Sequence, residues 1–552
     1  MAYAESSGIH SPVDVVGQPV GVFHPSVWGD FFITHTPMPS SELEKIKKRI
    51  DELKEVIKKQ LRDTSDELES LEMIDAIHHL GVAYHFEVEI NDTLKKIHRD
   101  GFEESKDLHT IALGFRLLRQ QRFLISADIF NKFMKKGDFD ESLKRDGKGL
   151  LSLYEAAHLG TQNEKILENA VKFARTHLKL MLGNMDKNFA TITSRALERP
   201  RFRRSERLEA REYISIFEEE KNRSELLLEF AKLDFHLVQS IHLEELLHLT
   251  LWKNSIALSE NLPFARDRLV ELNFWMTGTY FEPSYSRARI MATKLIVLTS
   301  ILDDIYDQYG TLEDLELLTE KIERWELLRV DQLPKYLQCF CMSLYKTFKD
   351  FDDELSFEQN SFRVRFLENE MKKLAHAFFV EARWGNEHYI PNIQEHLHIS
   401  LCSCAYPLVF CALFLGMHEV IPLNVYEWLT EFPEIVKASC IICRIMNDIT
   451  SDEHEERDNH FATIVESYTK EKKCTKEEAR DKLRVMVEDA WKTLNQEYLL
   501  SNLPLFIVQI VIKLSRMLEL FYKDKDNYTN PFGFIKDKIK LLMVDPILSN
   551  LE

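Results

Sequence analysis

From Ser40 to its end, the chain repeats apolar residues at the spacing of one helix face and shows no series of alternating strands. In "SSELEKIKKRIDELKEVIKKQL" the isoleucines and leucines recur every three or four residues, the interval that returns to one side of a helix. Glycine and proline, 17 and 16 in 552 residues, are about half their usual share, which disfavours a turn-rich all-β fold. The fold class expected is therefore all-α. No fixed-period repeat accompanies the helical pattern.

Length alone predicts two or more domains. Residues 1–37 contain Pro and Gly without helical period and read as an irregular arm. A compositional shift lies near 194–224, where "SRALERPRFRRSERLEAREY" is basic and carries Pro200. A boundary placed at about 217 gives helical domains of 38–217 and 218–552. The second has the more apolar helices, such as "RIMATKLIVLTSILDDIYD" and "CAYPLVFCALFLGM". Helices apolar on most sides are wrapped by others, so a large bundle around a central pocket is predicted.

One of these apolar helices ends in carboxylates. Asp303 and Asp307 are four residues apart, about 40° around a helix, with Asp304 beside them. They follow "KLIVLTSIL" and precede Gly310, which is expected to stop the helix. Carboxylates at a helix C-terminus oppose the macrodipole by about 0.3–1 kcal/mol each. Their mutual repulsion adds to this, so a compensating cation is inferred. Oxygen ligands of this kind suit Mg²⁺, which takes one or two carboxylates and completes its shell with water and phosphate. Taken alone, D-D-x-x-D also describes an acidic, solvated helix end.

A second stripe follows another apolar run. In "RIMNDITSDEHEER", Asn447, Ser451 and Glu455 are spaced by fours and carry oxygen ligands. Arg266 and Arg268 flank an aspartate in a loop after Pro263, and Arg444 lies one turn before Asn447. Guanidinium groups bind phosphate oxygens bidentately and stay charged in a pocket. Arg266 and Arg268 also suit a surface ion-pair network with Asp267. Jointly, two oxygen stripes and these arginines describe a diphosphate clamp with two or three metal ions. Trp275, Tyr280, Phe281, Tyr406 and Tyr528 are aromatics whose faces can stabilise a cation or simply pack the core.

Motifs in order along the chain resemble those of plant class I terpene synthases, most closely the cytosolic sesquiterpene type. They include "FHPSVWGDFF" (23–32), "LGVAYHFEVEI" (80–90), "FRLLRQQ" (115–121), "LLSLYEAAHLG" (150–160), "ARDR" (265–268), "WMTGTYFEP" (275–283), "DDIYDQYGTLEDLE" (303–316) and "DNYTNP" (526–531). The resemblance implies a catalytic C-terminal helical bundle and a catalytically silent N-terminal helical barrel. It implies a prenyl diphosphate substrate, farnesyl diphosphate before geranylgeranyl diphosphate, and three Mg²⁺ ions, with Mn²⁺ as an alternative. Asp303, Asp304, Asp307, Asn447, Ser451 and Glu455 would serve the metals, and Arg266, Arg268 and Arg444 the diphosphate. Trp275, Tyr406 and Tyr528 would line the pocket, with Asp526 near its mouth. Two departures stand out. Glu456, Arg457 and Asp458 occupy positions where relatives usually carry two basic residues, and "LCSCAYPL" (401–408) supplies fewer hydroxyls than relatives do at a helix break.

Other classes fit less well. A net charge of −19 argues against general nucleic-acid or anionic-membrane binding. No apolar run is expected to reach the roughly 18 to 20 residues that span a bilayer. The start lacks the basic and apolar regions of a signal peptide. The eight cysteines, all after residue 330, read as core thiols of a reducing compartment. A cytoplasmic, monomeric enzyme is expected. Chain elongation would need a second D-D-x-x-D, and protonation chemistry would need Asp350, Asp352 and Asp353 to be more than surface acidity. A non-enzymatic scaffold has no use for both oxygen stripes and the arginines together.

Overall fold

The computed structural model describes residues 26–256, 258–357, 360–417, 421–452 and 462–547. Nearly all of their regular structure is helical, and their buried apolar side chains form one continuous core. The exception is a hairpin in which Met134–Lys135 pairs antiparallel with Asp138–Phe139. Its two turn residues, Lys136 and Gly137, both have positive φ, the conformation that closes a two-residue hairpin. Strands of two residues leave no alternation to detect, which is why the helical period hid them.

The first long helix, α1 (Ser40–Asp63), begins where the sequence pattern predicts. Its buried stripe is Ile46, Ile50, Leu53, Ile57 and Leu61, and it packs on α2 (Glu225–Ser255). The helices that build the second half's pocket are α3 (Leu269–Thr279), α4 (Ser286–Asp304), α5 (Phe362–Asn386), α6 (Ile393–Ser403), α7 (Tyr406–Leu415), α8 (Glu434–Asp452), α9 (Ile464–Lys472) and α10 (Leu505–Phe521). Of these, α4 packs on α3 and α7, α5 on α6 and α7, and α8 on α10, α6 and α7. Gly278 lets α3 approach α10, since a Cβ there would lie 2.1 Å from the Met517 sulfur. The residue arm is anchored too: Trp28 Nε1 donates to Glu271 Oε1 on α3 at 3.0 Å, and Phe32 is buried.

The boundary drawn near 217 falls in the last turn of the helix Glu206–Glu219. Side chains of the basic stretch before it pair with residues of the second half. Arg203 donates to both carboxylate oxygens of Glu488 at 2.7 and 2.6 Å, and Glu206 accepts from Arg516 at 2.6 Å. The stretch Ile393–Leu415 is long and apolar enough by composition to cross a membrane, contrary to the expectation of no such run. Its apolar window is mostly buried within the protein, and the stretch is broken at Ala405, whose φ of 64° is left-handed. Burial against neighbouring helices accounts for its apolarity.

Two histidines of the first half give the fold an acid limb. The Nε2 atoms of His78 and His158 are buried and make no hydrogen bond among the described residues. Burial, with Arg201 adding to it, pushes the His78 pKa from 6.5 down to about 4. Burial, with Arg203 adding to it, pushes that of His158 down to about 3. Below 6.5 the unfolded chain therefore binds protons that the folded chain refuses, and stability is lost as pH falls from 6.5 toward 4. His78→Gln and His158→Gln are expected to flatten the pH dependence of the unfolding midpoint over that window relative to wild type. Parallel curves for variant and wild type would contradict this.

Candidate active site

Pro263 and the loop after it deliver Arg266 to the C-terminal end of α4. There the helix widens into a π-turn, Ile305–Tyr309, before extended backbone at Gly310. Such turns displace one face of a helix and recur at functional sites. Gly310 does end the helix, but its φ is −74°, so its role is space: a Cβ would lie 2.4 Å from Leu315 Cδ2.

Asp303 and Asp307 line a cavity of about 250 Å³. Arg266 Nη2 meets Asp303 Oδ2 at 2.5 Å, and the Arg266 guanidinium lies 5.0 Å from the Tyr528 ring centre. Asp304 is placed differently from its expected position among the metal ligands. It is 1% exposed, is absent from the cavity lining, and turns to Arg266. Its Oδ2 accepts the Arg266 backbone N–H at 2.7 Å, and its Oδ1 lies 2.7 Å from Arg266 Nε. One helical step separates it from Asp303, about 100° around the axis, which is enough to point it away. Burial, opposed by Arg266, pushes its pKa up to about 6.

Arg268 is the second revision. Expected to hold diphosphate, it is 2% exposed and does not line the cavity. Its guanidinium donates to the carbonyls of Tyr528 at 3.2 Å, Thr529 at 3.1 Å and Asp267 at 3.0 Å. It fastens the 526–530 segment instead. Asp526 closes that segment from within, its Oδ1 accepting the N–H groups of Tyr528 and Thr529 at 2.9 Å each. Arg268→Ala leaves buried carbonyls unpaired and is expected to cost about 1–3 kcal/mol, read by denaturant unfolding. Arg268→Lys should recover part of that loss, because an ammonium lacks the planar fork. Wild-type stability in the alanine variant would refute the fastening role.

The facing wall is α8. Arg444, Asn447, Asp448 and Ser451 all line the cavity. Arg444 donates to Asn447 Oδ1 and ion-pairs with Asp448. Asp448 also accepts the Ile464 N–H at 2.7 Å, and His396 Nε2 lies 3.4 Å from it. Glu455 lies outside the described residues, as do Glu456, Arg457 and Asp458. The apolar lining consists of Trp275, Ile296, Phe378, Trp384, Tyr406 and Val409. Trp275 stacks on Phe521 at 4.1 Å and meets Tyr528 edge-on at 6.3 Å. The Tyr528 hydroxyl is hydrogen-bonded to Ser300. Tyr280 and Phe281 are buried elsewhere and do not line this cavity. Asp350, Asp352 and Asp353 are exposed on the helix Lys335–Ser356.

Glu381, like Asp448, is a cavity carboxylate that sequence reasoning missed. It lines the cavity from α5 and accepts the Ser403 hydroxyl at 2.7 Å. Its signal was legible, since in "FFVEARW" it interrupts the face of Leu374, Phe378 and Ala382. Burial, followed by repulsion from Asp303 and Glu381, pushes the Asp307 carboxyl well above the usual range. Crowded, desolvated oxygen ligands of one sign fit a hard divalent cation. Among the described residues no three His, Cys, Asp or Glu side chains form a self-contained metal cage.

Comparison with known proteins agrees with this geometry. A profile described as "Terpene synthase, N-terminal domain" matches residues 27–197, and "Terpene synthase family, metal binding domain" matches 254–493. An alpha-humulene synthase of Zingiber zerumbet is 45% identical over 528 residues, covering 95% of this chain and 96% of that protein. A sesquiterpene synthase of Cananga odorata is 42% identical over 525 residues, covering 95% and 94%. The structure of isoprene synthase from grey poplar (Populus x canescens), solved with three Mg²⁺ ions and dimethylallyl-S-thiolodiphosphate, superposes with a TM-score of 0.87 at 32% identity, covering 92% of this chain and 98% of that one. With both halves matched and the cavity built as described, the chain belongs to the terpene synthase family and is an enzyme of that family, with its metal-binding domain in the C-terminal half.

Proposed function

We propose that this enzyme ionises farnesyl diphosphate and closes the resulting cation into a sesquiterpene, releasing diphosphate. The observation that carries the reading is one cavity that joins two kinds of lining. Carboxylates, amide, hydroxyl and guanidinium groups share it with the aromatic rings of Trp275, Phe378, Trp384 and Tyr406. Near full-length similarity to a sesquiterpene synthase supports fifteen carbons as the chain length. Asp303 and Asp307 on one wall, with Asn447 and Ser451 on the other, would hold three Mg²⁺ ions, Mn²⁺ substituting. Glu455 belongs to the same proposal from outside the described residues.

When bound, the metal ions neutralise the charge that develops on the diphosphate as its C–O bond breaks. The protein does the rest. Arg266 and Arg444 hold the departing diphosphate oxygens, each already positioned by a buried aspartate. Trp275, Tyr406 and Tyr528 present ring faces to the allylic cation. Their apolar packing keeps water from the cation until a proton is lost. Eight free cysteines suit a reducing compartment, so we place a monomeric enzyme in the cytoplasm.

Incubation with geranyl, farnesyl and geranylgeranyl diphosphates, with products separated by gas chromatography and identified by mass spectrometry, tests this. A fifteen-carbon terpene from farnesyl diphosphate is expected with Mg²⁺ and none after chelation. Preferred turnover of either other substrate would overturn the chain length. No diphosphate release from any of the three, by folded protein, would overturn the reaction.

A further inference from the structure

The helices α6, α8 and α9 pack on one another at the cavity. Where they meet stands His396, the one histidine among the described residues that line it, 2% exposed. It lies in the first full turn of α6, where the Asn392 side chain caps the helix by accepting the Glu395 N–H at 3.0 Å. The Trp384 ring is stacked on the imidazole, with centres 6.3 Å apart. The two ring nitrogens have different neighbours. Nδ1 lies 3.4 Å from the Ser467 hydroxyl of α9, and Nε2 lies 3.4 Å from Asp448 Oδ2 of α8. An ionised carboxylate only accepts hydrogen bonds, so the nitrogen that faces it is the one that carries a proton.

Asp448 links this histidine to the groups proposed to bind diphosphate and metal. Its Oδ2 accepts the Ile464 N–H at 2.7 Å, and its Oδ1 ion-pairs with Arg444, which also donates to Asn447 Oδ1. We propose that His396 is a positioning residue for diphosphate recognition: its Nε2–H fixes the Asp448 carboxylate, and that carboxylate aims Arg444 at the diphosphate oxygens. The inference rests on the reading of Arg444 as a diphosphate ligand.

The geometry favours a directed contact over packing alone. Asp448 is 2% exposed, and a buried carboxylate keeps its orientation through the donors around it. Arg444 moves with it, because a guanidinium on a flexible stem takes its direction from the carboxylate it pairs with. The contact from His396 is longer than a formed hydrogen bond, and Nε2 has no hydrogen-bonded partner among the described residues. Hydrogen bonds of catalytic sites are often long or poorly aligned until substrate tightens them. Ser467 neighbours the other nitrogen from α9, so the ring is placed by two helices and acts on a third.

Isothermal titration calorimetry of the full-length enzyme with inorganic diphosphate and Mg²⁺ tests this. His396→Leu removes both nitrogens, and His396→Asn keeps an amide only where Nδ1 stands. Both are expected to bind diphosphate about tenfold more weakly than wild type, the scale of one hydrogen bond to a charged group. His396→Gln, whose amide reaches the place of Nε2, should regain most of that loss, which a merely packed ring would not require. Added to Asp448→Asn, His396→Leu should change the affinity by less than about twofold, because the group it acts through is gone. Wild-type affinity in His396→Asn would overturn the positioning role and leave the diphosphate reading standing, as would equal losses in the asparagine and glutamine variants. That comparison holds even where the leucine variant fails to fold. A wild-type enzyme that binds no diphosphate with Mg²⁺ would overturn the diphosphate reading itself, and this inference with it.

Discussion

Asp307→Asn is expected to lower kcat by about 100-fold or more, the effect of losing several kcal/mol of charge stabilisation in the transition state, while leaving the fold as stable as wild type or more so. The two halves of this result have one cause. Burial, Asp303 and Glu381 disfavour the ionised Asp307 carboxylate in the folded protein. A neutral amide of the same shape removes that repulsion and with it a ligand for the metal ions. Thermal unfolding and steady-state turnover, measured on the same preparation, check both halves. If the midpoint falls by many degrees, the lost activity is a folding defect. Undiminished turnover would remove Asp307 from the reaction altogether. Asp303→Ala should lose turnover by a similar factor, but it also removes an Arg266 partner held at 2.5 Å, so its stability is expected to fall slightly.

Arg289→Met is expected to destabilise the protein by about 3–5 kcal/mol, the usual cost of stranding one partner of a buried ion pair. Arg289 is 0% exposed on α4. It donates to both Glu245 oxygens at 2.9 and 2.6 Å, and to the carbonyls of Tyr280 at 3.0 Å and Glu282 at 2.7 Å. One guanidinium thereby joins α2, the turn after α3, and the helix that carries Asp303. Its removal leaves a buried carboxylate and two carbonyls without donors. An unfolding midpoint lower by about 3–4 °C should follow for a chain of this length. Adding Glu245→Gln should recover part of the loss, because the double variant no longer buries an unpaired charge. An unchanged midpoint in Arg289→Met would show that the pair is dispensable.

How far the site could be read in advance varied with the kind of inference. Spacing by fours grouped Asp303 with Asp307 and Asn447 with Ser451, and all four line the cavity, because the helical repeat is local geometry. It could not say that Asp304 turns to Arg266, since that depends on a loop 38 residues away in sequence. Arg266 and Arg268 are two residues apart in a loop, where no period assigns faces. One faces the cavity and the other binds the carbonyls of Tyr528 and Thr529. The basic run before residue 217 shows its charge in composition, but composition does not report burial. Its arginines are buried by carboxylates as distant as Glu488.

The sequence by itself determined an all-helical chain, the pairing of ligand types along each helix, and the family whose motifs it carries. These follow from backbone repeat and residue chemistry, which need no distant partner. The tertiary structure alone decided which faces meet. It brought Glu381 into the cavity that Asp307 lines and turned Asp304 and Arg268 into supports. A helix fixes the angle between its own side chains, but the direction that counts as inward is set by the helices packed around it.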